Sequence, residues 1–101
     1  MNYVISLKRT PKRLERFLDI NKHMSFEVFD AIDGNDLEPI GNFNQFAHGV
    51  ALSHVELWKK CAEGTEDFLI CEDDAEVHKD LQRALDGLKE ANHPYEFIAW
   101  G

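Results

Sequence analysis

Little in this sequence favours covalent or membrane anchoring. Only two cysteines occur in 101 residues. Cys61 lies in a helical pattern and Cys71 in an apolar run, with no metal-ligand spacing, so neither a disulfide nor a thiolate zinc site is expected. No apolar run approaches the roughly 20 residues of a membrane span. The opening Met1-Asn2-Tyr3-Val4-Ile5 lacks the basic and apolar regions of a signal peptide, so a cytoplasmic chain is expected. Basic residues are scarce, 11 against 19 acidic ones, for a formal net charge of −8. That sign excludes general nucleic-acid binding, which relies on a basic surface to release counterions from phosphates. No repeat and no low-complexity segment interrupts the chain, whose length allows a single domain, 1–101, around one core.

What is present is an alternation of apolar strands and amphipathic helices. Tyr3-Val4-Ile5-Ser6-Leu7 predicts a short strand placed mid-sheet. Thr10 as N-cap and Pro11 at the first helical position open a helix with Leu14, Phe17 and Leu18 at helical spacing, ending between Asn21 and His23. Phe26-Glu27-Val28-Phe29 predicts a second strand, left through the turn-rich Asp30-Ala31-Ile32-Asp33-Gly34-Asn35. From Asn35 to Gly49 the pattern is lost, and an ordered, ligand-facing loop is expected. A helix from about Val50 to Glu63, closed by Gly64, should face the core with Ala51, Leu52, Val55, Trp58 and Ala62, widened by Leu57 and Cys61. Phe68-Leu69-Ile70-Cys71 reads as a strand buried on both faces. Asp80 then starts a helix striped by Leu81, Ala84, Leu85 and Leu88, ended by His93-Pro94. Tyr95 to Gly101 completes the pattern as a fourth strand. The expectation is an α/β fold, mostly parallel, with βαβ units and right-handed crossovers.

Two charge clusters punctuate this alternation. Glu72-Asp73-Asp74 follows the third strand directly, at the carboxyl edge where open α/β sheets bind ligands. Three adjacent anions repel unless a cation is present, so a divalent-metal site with oxygen ligands is expected. Continued strand alternation pairs Glu72 with Asp74 as metal ligands and turns Asp73 the other way. The second cluster, Lys8, Arg9, Lys12, Arg13 and Arg16, gathers five of the 11 basic residues, which suggests an anion site. In a parallel sheet the two clusters face each other across one edge, and that suits a metal-bound diphosphate. For at least one of Lys12, Arg13 and Arg16 a solvated helix face is the simpler reading. Among the histidines, His48 and His54 flank the start of the second helix, where either could meet the ligand, a satisfied structural histidine being the commoner case. His78 lies past the acidic run as a surface residue or an added metal ligand.

Four stretches carry a resemblance in order along the chain: Val4-Ile5-Ser6-Leu7-Lys8-Arg9-Thr10-Pro11-Lys12-Arg13, Phe29-Asp30-Ala31-Ile32-Asp33-Gly34, Gly49-Val50-Ala51-Leu52-Ser53-His54 and Leu69-Ile70-Cys71-Glu72-Asp73-Asp74-Ala75. Together they resemble the family 25 glycosyltransferases, bacterial enzymes of lipooligosaccharide and lipopolysaccharide biosynthesis with relatives that galactosylate collagen. The resemblance implies a Rossmann-like, nucleotide-sugar-binding half of a GT-A type fold. It implies a UDP-sugar donor, usually galactose, a divalent cation such as manganese (Mn2+), and transfer to a saccharide acceptor, with peripheral contact at the inner membrane through that acceptor. The acidic run matches the family's counterpart of the Asp-x-Asp element, with Glu72 and Asp74 on the metal. Lys8, Arg9, Arg13, Asp30, Asp33, Ser53, His54 and Asp73 are the residues expected to hold the donor, with Asp30 and Asp33 towards its ribose or base. Family members are considerably longer. The part that binds acceptor and supplies a catalytic base is therefore expected outside these residues, which should not transfer sugar alone.

Two other readings stand beside this one. A receiver-like acidic-pocket module shares the βα alternation, but receivers carry their acidic pair after the first strand, where this chain has Lys8-Arg9. A non-catalytic remnant would keep only the fold and its nucleotide or metal contacts. In any of these cases the apolar Phe97-Ile98-Ala99-Trp100 should favour a homodimer, with Trp58 or Tyr95 in the contact.

Overall fold

The structure of the chain, a computed structural model, describes residues 1–39, 41 and 44–90, without the side chains of 88–90. Three strands, β1 (Asn2–Ser6), β2 (Glu27–Asp30) and β3 (Leu69–Glu72), form a parallel sheet in the order β2-β1-β3. Tyr3 aligns with Glu27 on one side and with Ile70 on the other, which places β1 in the centre. Helix α1 (Pro11–Ile20) links β1 to β2, α2 (Gln45–Glu63) links β2 to β3, and α3 (Leu81–Glu90) follows. From β1 the chain steps one way to β2 and then crosses back to β3. The two crossovers reverse at β1, and right-handed connections put their helices on opposite faces.

The mid-sheet position expected for the first strand is observed, and it makes β1 the core. Tyr3, Val4, Ile5 and Ser6 are all buried. Residues 68–71 were expected to be buried on both faces, yet Leu69, Ile70 and Cys71 are only half-buried. Among the described residues β3 has a neighbour on one side only, and an edge strand keeps part of its surface. Towards α2, Tyr3 and Ile5 pack on the fully buried Leu57, with Phe29, Ala31, Phe68 and Ile70 around them. By alternation Val4 and Ser6 point to the opposite face. On the α1 side, Phe17 is buried and meets Phe26 edge-on at 4.9 Å between ring centroids.

The start and buried face of α2 differ from expectation. The helix begins at Gln45 rather than near Val50, with the Asn44 side chain accepting a hydrogen bond from the Ala47 N–H at 3.2 Å. A short 3-10 helix, Gly34–Asp36, occupies the start of the expected loop. The buried face is Gly49, Ser53 and Leu57, whereas Ala51, Trp58 and Ala62 are exposed. The cause is a close backbone approach. A Cβ on Gly49 would strike the Ile32 carbonyl and the Gly34 N–H, and one on Gly34 would strike the Gln45 carbonyl. Only small residues fit such a seam, and small residues leave no apolar periodicity.

Elsewhere the local signals behave as their chemistry suggests. Pro11 opens α1, although Thr10 bonds the Leu7 carbonyl and not the helix amides. Gly64 caps α2. Cys61 and Cys71 are free thiols. Among the described residues no helix is long and apolar enough to cross a membrane. The expected fourth strand, with Tyr95 and the segment Phe97 to Trp100, lies outside the described residues.

Candidate functional site

All three strands end at the same edge of the sheet. Lys8 lies just past β1, Asp30 ends β2 and Glu72 ends β3. A cavity of about 90 Å³ opens there, with Ile5, Leu7, Ala31 and Ile32 as its apolar lining and Arg13, Glu72, Asp73 and Asp74 as its charged one. Phe46 and Val50, from the first turns of α2, close it from the side.

The acidic run divides in two. The strand stops at Glu72, and a turn closed by the Ala75 N–H on the Glu72 carbonyl at 3.0 Å carries Asp73 and Asp74. Asp73 is buried towards α1, where it accepts from the Ser6 hydroxyl at 2.8 Å and pairs with Arg13 at 2.9 Å. Glu72 and Asp74 are exposed. Asp73 differs from the other two in burial, through a turn and not strand alternation, and all three line the cavity. Arg13 supplies part of the cation that three adjacent carboxylates require.

The basic cluster disperses on folding. Arg9 reaches the turn after β2, with Nε 2.5 Å from one Asp33 oxygen and a second nitrogen 3.3 Å from the other. The hydrogen bond from Arg9, aided by the Asn35 N–H, holds the Asp33 carboxyl below its usual pKa, and the same bond raises that of Arg9. Lys8 pairs with Asp30 at 3.4 Å, both largely exposed. Lys12 and Arg16 are exposed on α1, as the solvated-face reading holds. Arg13 is therefore the cation that folding brings to the acidic edge, while Arg9 and Lys8 turn to the end of β2.

Ser53 and His54 hold positions the motif did not reveal. Ser53 is fully buried, its hydroxyl accepting from the Ile32 N–H at 2.9 Å and donating to the Gly49 carbonyl at 2.8 Å. It pins the 32–34 turn to α2, with both of its hydrogen bonds made inside the protein. His54 lies 6.0 Å from the Trp58 ring, away from the cavity lining. His78 is exposed and its Nδ1 accepts from the Asp80 N–H at 3.1 Å, which turns it to its own loop. Burial pushes the Cys71 thiol up, so it remains protonated at neutral pH. Sequence reasoning missed Ser6, Phe46, Val50 and Asn21; a serine in a strand and an asparagine at a helix end are too common to signal.

A family model described as Glycosyltransferase family 25 (LPS biosynthesis protein) matches residues 1–101. The chain belongs to this family. No curated protein and no solved structure matches it. Membership implies a sugar donor and an acceptor. The family 25 chain shows a small parallel α/β sheet whose carboxyl edge gathers its acidic motif and one arginine.

Proposed function

We propose that this chain forms the donor-binding part of a glycosyltransferase of lipooligosaccharide or lipopolysaccharide biosynthesis. Its donor is a UDP-sugar, with galactose the leading candidate, and its acceptor a saccharide presented at the cytoplasmic face of the membrane. The observation that carries this reading is the carboxyl edge. There Glu72 and Asp74 are exposed beside a cavity that Arg13 also lines, at the point where the two crossovers reverse, which is where open α/β sheets take nucleotides.

The donor set bears on the metal. Among the described residues no group of three or more His, Cys, Asp or Glu could hold a cation, and both Asp73 oxygens already have partners. Glu72 and Asp74 remain, two hard oxygen donors of the kind that divalent cations such as manganese take together with phosphate oxygens. When bound, such an ion would offset charge on the departing diphosphate. The chain's own contribution is Arg13, a planar cation able to hold a phosphate bidentately.

Calorimetry with UDP, with and without manganese, tests the assignment on wild type and Asp74→Asn. Manganese should tighten UDP by about tenfold or more, equivalent to about 1.4 kcal/mol, and the substitution should abolish the gain. Equal affinity with and without manganese would sink the metal assignment. Arg13→Ala should weaken UDP more than uridine, and equal weakening would remove Arg13 from the diphosphate.

A further inference from the structure

The segment after the acidic turn has no regular structure of its own, yet it is tightly held. The Val77 N–H donates to Asn21 Oδ1 at 2.7 Å, and Asn21 Nδ2 donates to the Ala75 carbonyl at 3.0 Å. The same nitrogen donates to the Phe17 carbonyl at 2.9 Å, near the end of α1. Asn21 is 1% exposed and Val77 8%. One side-chain amide thus satisfies the buried Val77 N–H and the part-buried Ala75 carbonyl. A buried polar group left without a partner is costly. Two turns earlier on the same helix, Arg13 grips Asp73. Helix α1 therefore holds the acidic segment at both ends.

We infer that Asn21 is a positioning residue for the acidic edge. It fixes the path of residues 73–77 so that Asp73 stays turned to α1 while Glu72 and Asp74 stay turned to the ligand. The inference rests on the proposed role of that edge in metal and diphosphate binding. Among the natural side chains only an amide of this length offers two donor hydrogens and an acceptor in one plane. A carboxylate of the same shape could accept from Val77, but it would set lone pairs against the Phe17 and Ala75 carbonyls.

Asn21→Asp tests this by amide hydrogen exchange and by calorimetry. Exchange at the Val77 amide should accelerate by about tenfold or more, while the Val4 and Ile5 amides of the central strand keep their protection. The tightening of UDP by manganese should fall by about tenfold, while the affinity for UDP alone holds. If Asn21→Asp does not fold, Asn21→Ser, which keeps one donor and one acceptor on a shorter stem, takes the same measurements. Unchanged Val77 exchange would overturn the tether. Equal acceleration in β1 would reduce Asn21 to general stability, and an intact manganese effect beside a loosened segment would remove its positioning role. A wild type that shows no manganese effect overturns the metal reading alone, and the exchange pattern then decides the tether.

Discussion

The two faces of β1 are built on different principles. Towards α2 the contacts are mainly apolar or backbone against backbone, Tyr3 and Ile5 on Leu57 and the Gly34 and Gly49 seam, with the Ser53 hydroxyl as a polar pin. Towards α1, Phe17 is joined by a polar set in which Ser6, Arg13, Asp73 and Asn21 each bond across to another element. Apolar burial is non-directional and supplies stability; hydrogen bonds and ion pairs have direction and hold a carboxylate at a chosen angle. The face that secures the fold and the face that aims the site are thus separate, and substitutions should tell them apart.

The largest effect is expected in the glycine seam. Alanine normally stabilises a helix relative to glycine by about 1 kcal/mol, so Gly49→Ala is a test of sign. The close approach of a backbone oxygen, which only a backbone shift relieves, predicts a loss of about 4 kcal/mol or more in chemical denaturation, and a gain would disprove the seam. Leu57→Ala, fully buried against Tyr3 and Ile5, should cost about 2–4 kcal/mol with the m-value unchanged.

On the other face the stability effects are smaller and the functional ones larger. Arg13→Ala leaves the buried Asp73 carboxylate with Ser6, but Arg13 is about half exposed, so the loss should be about 1–2 kcal/mol. A loss as large as that of Leu57→Ala would erase the distinction between the faces.

A pH titration sharpens the contrast at the exposed Arg9 and Asp33 pair. The folded Asp33 pKa is lowered, first by the hydrogen bond from Arg9. The pair's contribution is therefore present above the unfolded carboxyl value and is lost as pH falls through the folded one. Thermal unfolding of wild type and Asp33→Asn should differ at neutral pH and converge from about pH 4 downwards. A constant difference across that range would contradict the pairing. The smallest effect belongs to Tyr3, whose buried hydroxyl makes no hydrogen bond of normal geometry among the described residues, although it lies near enough to the Lys60 ammonium to raise that group's pKa. Tyr3→Phe keeps the ring and removes the orphan group, so stability should change by less than about 0.5 kcal/mol, or rise.

These contrasts explain what could be read from the chain itself. Among the described residues the order of strands and helices and β1 as the centre were legible, because apolar runs and caps act through nearest neighbours. The first turns of α2 were not. They contain Gly49 and bury Ser53, whose value lies in a contact with residues 32–34 that no local pattern encodes. The fate of Arg9 was hidden for a related reason. Asp30 and Asp33 compete for the same cations as a ligand would, and only the register of β1 with β2 brings them within reach.

The position of β1 also sets the order of events in time. It precedes β2 and β3 in the chain, yet it aligns Asn2 with Leu69 and Ser6 bonds Asp73, 67 positions later. Sheets closed over such separations fold slowly, and until β3 emerges from the ribosome one edge of the most buried of the described strands stands open to other chains. In refolding, pulsed labelling of Cys71 should show its thiol becoming protected only in the slowest phase. The acidic edge then matures last, and a chain arrested before that step would carry the motif without the ability to use it.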